Sequence, residues 1–191
     1  MARTDWGWIV AVLLLVAAAV QATRMASRSQ GVKCAHPSNL YLRLRERALC
    51  MQQPGDVRVS GVDAPFALVT DVGYATGTAT ILTTTGGDAS IYFSRDGSYV
   101  RSSGSPSIAV AARWSVEIAG EAIQRFRRSD RFPIAREGEV TFYLLSADGV
   151  RSARISLESI GSNPGAFTNL FAAVKRVLLS FRAAPTTVEP R

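Results

Sequence analysis

The residues able to do chemistry are few and scattered. There is one histidine, His36, and there are two cysteines, Cys34 and Cys50, in 191 residues. Cys34-x-His36 has half of a zinc-site spacing, but a tetrahedral site needs four ligands and Cys50 is the only other soft one. A histidine-assisted nucleophile would require His36 to fold back from a polar stretch onto a distant serine. Thr85-Gly86-Gly87-Asp88 is not followed by Gly-Lys-Ser/Thr and leads into a strand pattern, so it reads as a hairpin turn and not a phosphate loop. Asp71, Asp88, Asp96 and Asp148 fall at predicted strand ends and turns, where aspartate bonds its own backbone. A small hydrolase or ligand-binding site would have to be assembled from polar groups around Asp71, Tyr74, Tyr92 and Ser94. No catalytic residue, metal or cofactor is assigned, and a non-enzymatic interaction or scaffold role is favoured over that alternative.

Charge points to a surface and not to a pocket. Basic residues outnumber acidic ones by 22 to 15, for a net charge of +7, and all but Lys33 and Lys175 are arginine. The densest cluster is Arg125, Arg127, Arg128, Arg131 and Arg136. It reads first as a solvated helix end and loop, and next as a contact for anionic lipid headgroups. Nucleic acid is disfavoured, because the only aromatic residues within the cluster, Phe126 and Phe132, are spaced as core anchors.

The N-terminus sets the location. Residues 6–22 read WGWIVAVLLLVAAAVQA, apolar apart from Gln21, which predicts a membrane-targeting segment. Arg3 and Val20-Gln21-Ala22 fit a signal peptide cleaved near Ala22, with export of the rest. Trp6 and Trp8 at one end and Arg24, Arg28 and Lys33 beyond the other favour a retained single-pass anchor with the domain in the cytoplasm. The chain then divides into a flank (residues 1–5), the anchor (6–22), a tether (23–37), one domain (38–182) and a tail (183–191). Both cysteines are expected as free thiols, with Cys50 buried in a helix beside Leu49 and Met51.

The domain pattern is α+β. A helix is predicted over residues 38–53, with Leu40, Leu44, Ala48 and Met51 on one face and Leu42 and Leu49 roughly opposite. Alternation and β-branched content predict strands at 65–72, 77–84 and 89–94, then a hairpin at 139–145 and 150–155. A second helix runs from Pro106 to about Arg127, and residues 127–137 form a charged loop. Asn163 and Pro164 start a last helix whose stripe is Phe167, Leu170, Phe171, Val174, Val177, Leu178 and Phe181. One antiparallel sheet of about five strands, packed by two to three helices, satisfies this order. Val110, Trp114 and Ile118 form a second apolar ridge on the middle helix. They either pack against the first or last helix or offer a surface to a protein partner or a second copy.

Leu44-Arg45, Ala48-Leu49, Asp71-Val72-Gly73-Tyr74, Gly77-Thr78-Ala79-Thr80, Ser90-Ile91-Tyr92-Phe93-Ser94, Phe142-Tyr143-Leu144-Leu145 and Gly149-Val150-Arg151 together make a pattern over residues 40–182. It resembles an uncharacterised family of small bacterial α+β domains without assigned activity, so the resemblance implies domain limits and no functional residue. The element order is also similar to profilin-like and roadblock-type folds, a likeness that implies an interaction module.

Overall fold

Residues of high β-propensity set between glycine-containing turns build the sheet. The computed structural model describes residues 37–51, 64–102, 104–162 and 165–183. In chain order the elements are α1 (Pro37–Leu49), β1 (Pro65–Tyr74), β2 (Gly77–Thr84), β3 (Ala89–Phe93), β4 (Tyr99–Arg101) and α2 (Pro106–Glu121). A short 3₁₀ turn (Ile123–Arg125) leads to β5 (Arg127–Arg128), β6 (Glu139–Ser146), β7 (Gly149–Ser156), α3 (Leu157–Ser162) and α4 (Ala166–Ala183). The molecule is α+β, with one antiparallel seven-stranded sheet in the order β4-β3-β2-β1-β6-β7-β5. The candidate anchor and tether, Cys34, His36 and the Asn163-Pro164 helix start lie outside the described residues. Among the described residues, no helix is long and apolar enough to cross a membrane.

Both sheet faces are covered, which is why β1 is buried at every position but its ends. Leu68, Val72, Ile81, Ile91, Phe93 and Phe142 point to one side and pack under α2 and α4. Ala67, Val69, Leu82, Tyr92, Tyr143 and Leu145 point to the other and pack under α1. The alternation of a strand thus serves two cores, one large and one small. On the larger side Ser115 of α2 donates to the Ala112 carbonyl at 2.7 Å and accepts from Thr83 of β2 at 2.8 Å, so the polar pair joining helix to sheet is satisfied.

Several expectations change. The sheet has seven strands because β4 and β5 add short edges, of three and two residues, too brief to show an alternation. β4 follows β3 through a tight turn in which Asp96 accepts the Ser98 amide and Gly97 takes a positive φ of 66°. The middle helix ends at Glu121 and not near Arg127, giving way to the 3₁₀ turn. The first helix stops at Leu49, and its buried residues are Tyr41, Arg45, Ala48 and Leu49, with Leu42 exposed. Cys50 is exposed, since one step past Leu49 turns it about 100° farther round the helix. Asp71 lies within β1 and not at its end. Asp71 there brings a charged group into the smaller core, and Arg45 follows it.

Candidate functional site

Asp71 is fully buried on the α1 face of the central strand. An unmatched carboxylate there would lose several kcal/mol of hydration, so the fold must surround it with a cation and hydrogen-bond donors. Arg45 of α1, only 6% exposed, donates from Nε and Nη2 to Asp71 Oδ2 at 2.9 and 2.6 Å. Thr80, opposite Asp71 on β2, donates to Oδ1 at 2.6 Å. A threonine hydroxyl has a single proton, so Tyr41 is the donor in its 2.9 Å bond to Thr80 Oγ1. The network runs from Tyr41 through Thr80 to Asp71 and closes on Arg45, one turn farther along α1.

The loop after β5 folds over the same face. Arg45 Nη2 reaches the Pro133 carbonyl at 3.4 Å, and the Tyr143 hydroxyl donates to that oxygen at 2.5 Å. The Arg45 guanidinium lies 5.5 Å from the centre of the Tyr143 ring, and Phe132 meets the ring edge-on. Thr78 donates to the Ala135 carbonyl at 3.1 Å. Glycine at position 73 is required, because a Cβ there would lie 1.7 Å from the Arg136 carbonyl oxygen. One buried ion pair therefore fastens α1, β1, β2 and the arginine-bearing loop together.

The electrostatics fit a clamp. Burial opposes charge on Arg45, yet the hydrogen bond and charge of Asp71 hold its pKa above the ordinary value. Burial, assisted by the Asp71 charge, pushes the Tyr41 phenol up to about 12 and raises Tyr143 in the same way. Both oxygens of Asp71 are occupied. For Tyr41 the folded state holds its proton more tightly than the unfolded chain, whose phenols titrate near 10. Its contribution is thus complete below about pH 10 and is lost as pH rises toward about 12, on the order of 3 kcal/mol in all. Tyr41→Phe is expected to flatten the alkaline fall in urea midpoint; an unchanged slope would place the titrating group elsewhere.

Of the four polar candidates, Tyr74 and Ser94 come together, their hydroxyls both lying beside Gly77, while Asp71 and Tyr92 stand on separate strands. Tyr92 shares the α1 face with Asp71 but sits two strands away on β3, Tyr74 packs against the opposite core, and the Ser94 hydroxyl accepts the Thr78 amide at 2.8 Å. An open cleft of about 350 Å³ lies instead between α2 and the start of β1, lined by Pro65, Thr85, Arg113, Val116, Glu117 and Gly120. Among the described residues, no three of His, Cys, Asp and Glu gather into a metal site.

The ridge on α2 lies toward α4, not α1, which is across the sheet. Trp114 is half-buried with the Arg176 guanidinium 5.5 Å over its ring, Ile118 packs against the larger core, and Val110 is exposed. The basic cluster occupies the β5 edge and the following loop. Arg128 pairs with Asp148 at 2.7 Å, and Asp148 is also bound by Arg151 at 3.1 Å. Arg125, Arg127, Arg131 and Arg136 are exposed and make no ion pair among the described residues. Arg45 was the residue that sequence reasoning missed; an aspartate inside an otherwise buried strand was the available signal, since it demands a cation. No known family model, curated protein or solved structure matches the chain.

Proposed function

We propose that the protein is a membrane-anchored, non-enzymatic interaction domain, held by residues 6–22 as a single-pass helix with the domain in the cytoplasm. The observation that carries this reading is the distribution of charge. Among the described residues, the one fully buried carboxylate, Asp71, is consumed by Arg45 and Thr80, whereas Arg125, Arg127, Arg131 and Arg136 are exposed along the β5 edge and the loop that returns from it to β6. An anchor keeps such a rim close to a bilayer, where each arginine near an anionic surface contributes about 1 kcal/mol. Guanidinium groups on a short edge strand and a clamped loop can meet phosphates without a formed pocket.

The test is reconstitution of the full chain into vesicles with and without phosphatidylserine, followed by a carbonate wash, flotation and hydrogen exchange. The chain is expected to float after the wash, with residues 125–136 protected only in the anionic vesicles. Arg127→Glu with Arg131→Glu should remove that protection without releasing the chain. Loss from the vesicles on washing, or a mature chain beginning at Thr23, would overturn the anchor; equal protection in both vesicles would overturn the lipid-facing rim.

A further inference from the structure

The outer face of the α2 and α4 pair carries apolar residues and unpaired charge of both signs. α2 and α4 run antiparallel, since Phe126 just past α2 meets Phe167 at the start of α4, while Trp114 in mid-α2 meets Arg176 farther along. By the 100° step of an α-helix, Val110, Glu117 and Glu121 fall within about 40° of one another, opposite the buried stripe of α2. Ala172, Arg176, Leu179 and Ala183 fall within about 60° opposite the stripe of α4. Val110 is 59% and Leu179 36% exposed. Glu117 and Glu121 make no ion pair among the described residues, and Arg113 is drawn away to the Gly86 carbonyl at 3.3 Å. The basic residues of α4, Lys175, Arg176 and Arg182, likewise make no ion pair there.

From this pattern we infer that the α2 and α4 face binds a second copy of the chain about a two-fold axis lying along the groove between the helices. The inference rests on the reading of the chain as an interaction domain and names its partner. Rotation about such an axis lays α2 of one copy on α4 of the other, twice over, as an isologous interface requires. It sets Glu117 and Glu121 of α2 against the face of α4 that carries Arg176. Because Trp114 and Arg176 lie at the same level, Val110 comes opposite Leu179 of the other copy, and Glu117 comes opposite Ala172 and Arg176. Trp114 and its covering arginine then close the centre, where a large aromatic anchor contributes most. An anionic bilayer is a poorer occupant, since Glu117 and Glu121 stand on the ridge and would repel its headgroups.

The experiment uses full-length chains carrying Cys34→Ser and Cys50→Ser, reconstituted in vesicles. Val110→Cys in one chain and Leu179→Cys in a differently tagged second chain are expected to form a mixed disulfide on mild oxidation. Leu42→Cys, on the opposite sheet face, should not form one with Leu179→Cys. In a second arm, Glu117→Arg alone and Arg176→Glu alone should each associate at least about tenfold more weakly, because each self-pairing sets like charges together. A mixture of the two should associate as the parent does, which also shows that neither variant is unfolded. Absence of the Val110 to Leu179 cross-link, equal cross-linking from Leu42, or failure of the mixture to recover would overturn the inference. So would an Arg176→Glu variant that keeps its association but loses protection of α4 in anionic vesicles, which would assign the face to lipid. Flotation and protection of residues 125–136 are read in the same vesicles, so failure of the pairing is distinct from failure of the membrane reading.

Discussion

Asp71→Ala is expected to cost about 3–5 kcal/mol of folding stability, because it leaves a buried guanidinium without its counter-ion. Arg45 cannot turn to water at small cost. It is 6% exposed, shares the Pro133 carbonyl with Tyr143 and lies over the Tyr143 ring. Arg45→Ala should cost a similar amount, for the converse reason that Asp71 retains only Thr80 as a side-chain donor. Removing both charges is the decisive comparison. In Arg45→Met with Asp71→Leu, neither desolvated charge remains and apolar volume fills the site, so most of the single-variant loss should be recovered. Denaturant midpoints of residues 37–183 give the cycle directly. A single Asp71→Ala variant within about 1 kcal/mol of the parent would show that water or another group reaches Arg45, and the clamp would not be what fastens α1. A double variant worse than either single would show that the pair contributes shape that apolar side chains cannot supply.

That pair also marks where the sequence could be read and where it could not. The meander β1 to β3, the β6 to β7 hairpin and the stripe of α4 were legible because burial imposes a periodicity on their apolar residues. Residues 65–84 and 139–156 accordingly fall close to their expected bounds. α1 was legible in part: Leu44, Ala48 and Met51 of its expected face and Leu49 of the opposite one pack against the smaller core, but a hydropathy wheel ranks Arg45 as outward and Leu42 as inward, whereas Asp71 draws Arg45 in and Leu42 is 46% exposed. Nothing local to residues 38–53 reveals the carboxylate 26 positions away. The edge strands failed for another reason. β5 is two arginines, which have no strand signature of their own and pair with Arg151 and Ser152 only because the turn before them is fixed. The arginine cluster was therefore visible in composition, but the edge that displays it was not.

What fixes that turn is Phe126, and Phe126→Ala is expected to lower stability by about 3–5 kcal/mol while loosening the basic edge. The residue is 5% exposed although arginines stand on both sides of it. Its ring meets Phe167 of α4 edge-on at 5.6 Å, and Phe167 stacks on Phe142 of β6 at 6.0 Å. The trio ties the 3₁₀ turn to a helix and to the sheet, so Arg125 and Arg127 are displayed from a fixed point. β5 itself is held by its two residues paired with β7, by the Ser129 amide bonded to the Val150 carbonyl at 3.0 Å and by the exposed Arg128–Asp148 ion pair, a short edge prone to fraying. Truncation should therefore act twice, through the volume lost beneath α4 and through release of the strand. Phe132 offers the contrast, because it is half-buried on the other face and its aromatic partner is Tyr143. Phe132→Ala should cost less and leave β5 in place. Hydrogen exchange at residues 127–129 and 151–153, measured beside the denaturant midpoint, separates the two effects. If Phe126→Ala lowers the midpoint but leaves those amides as protected as the remaining global stability allows, the edge is held by its own pairing and the trio does not position the arginines. If the amides exchange far faster than global unfolding permits, the aromatic anchor is what turns a run of arginines into a surface.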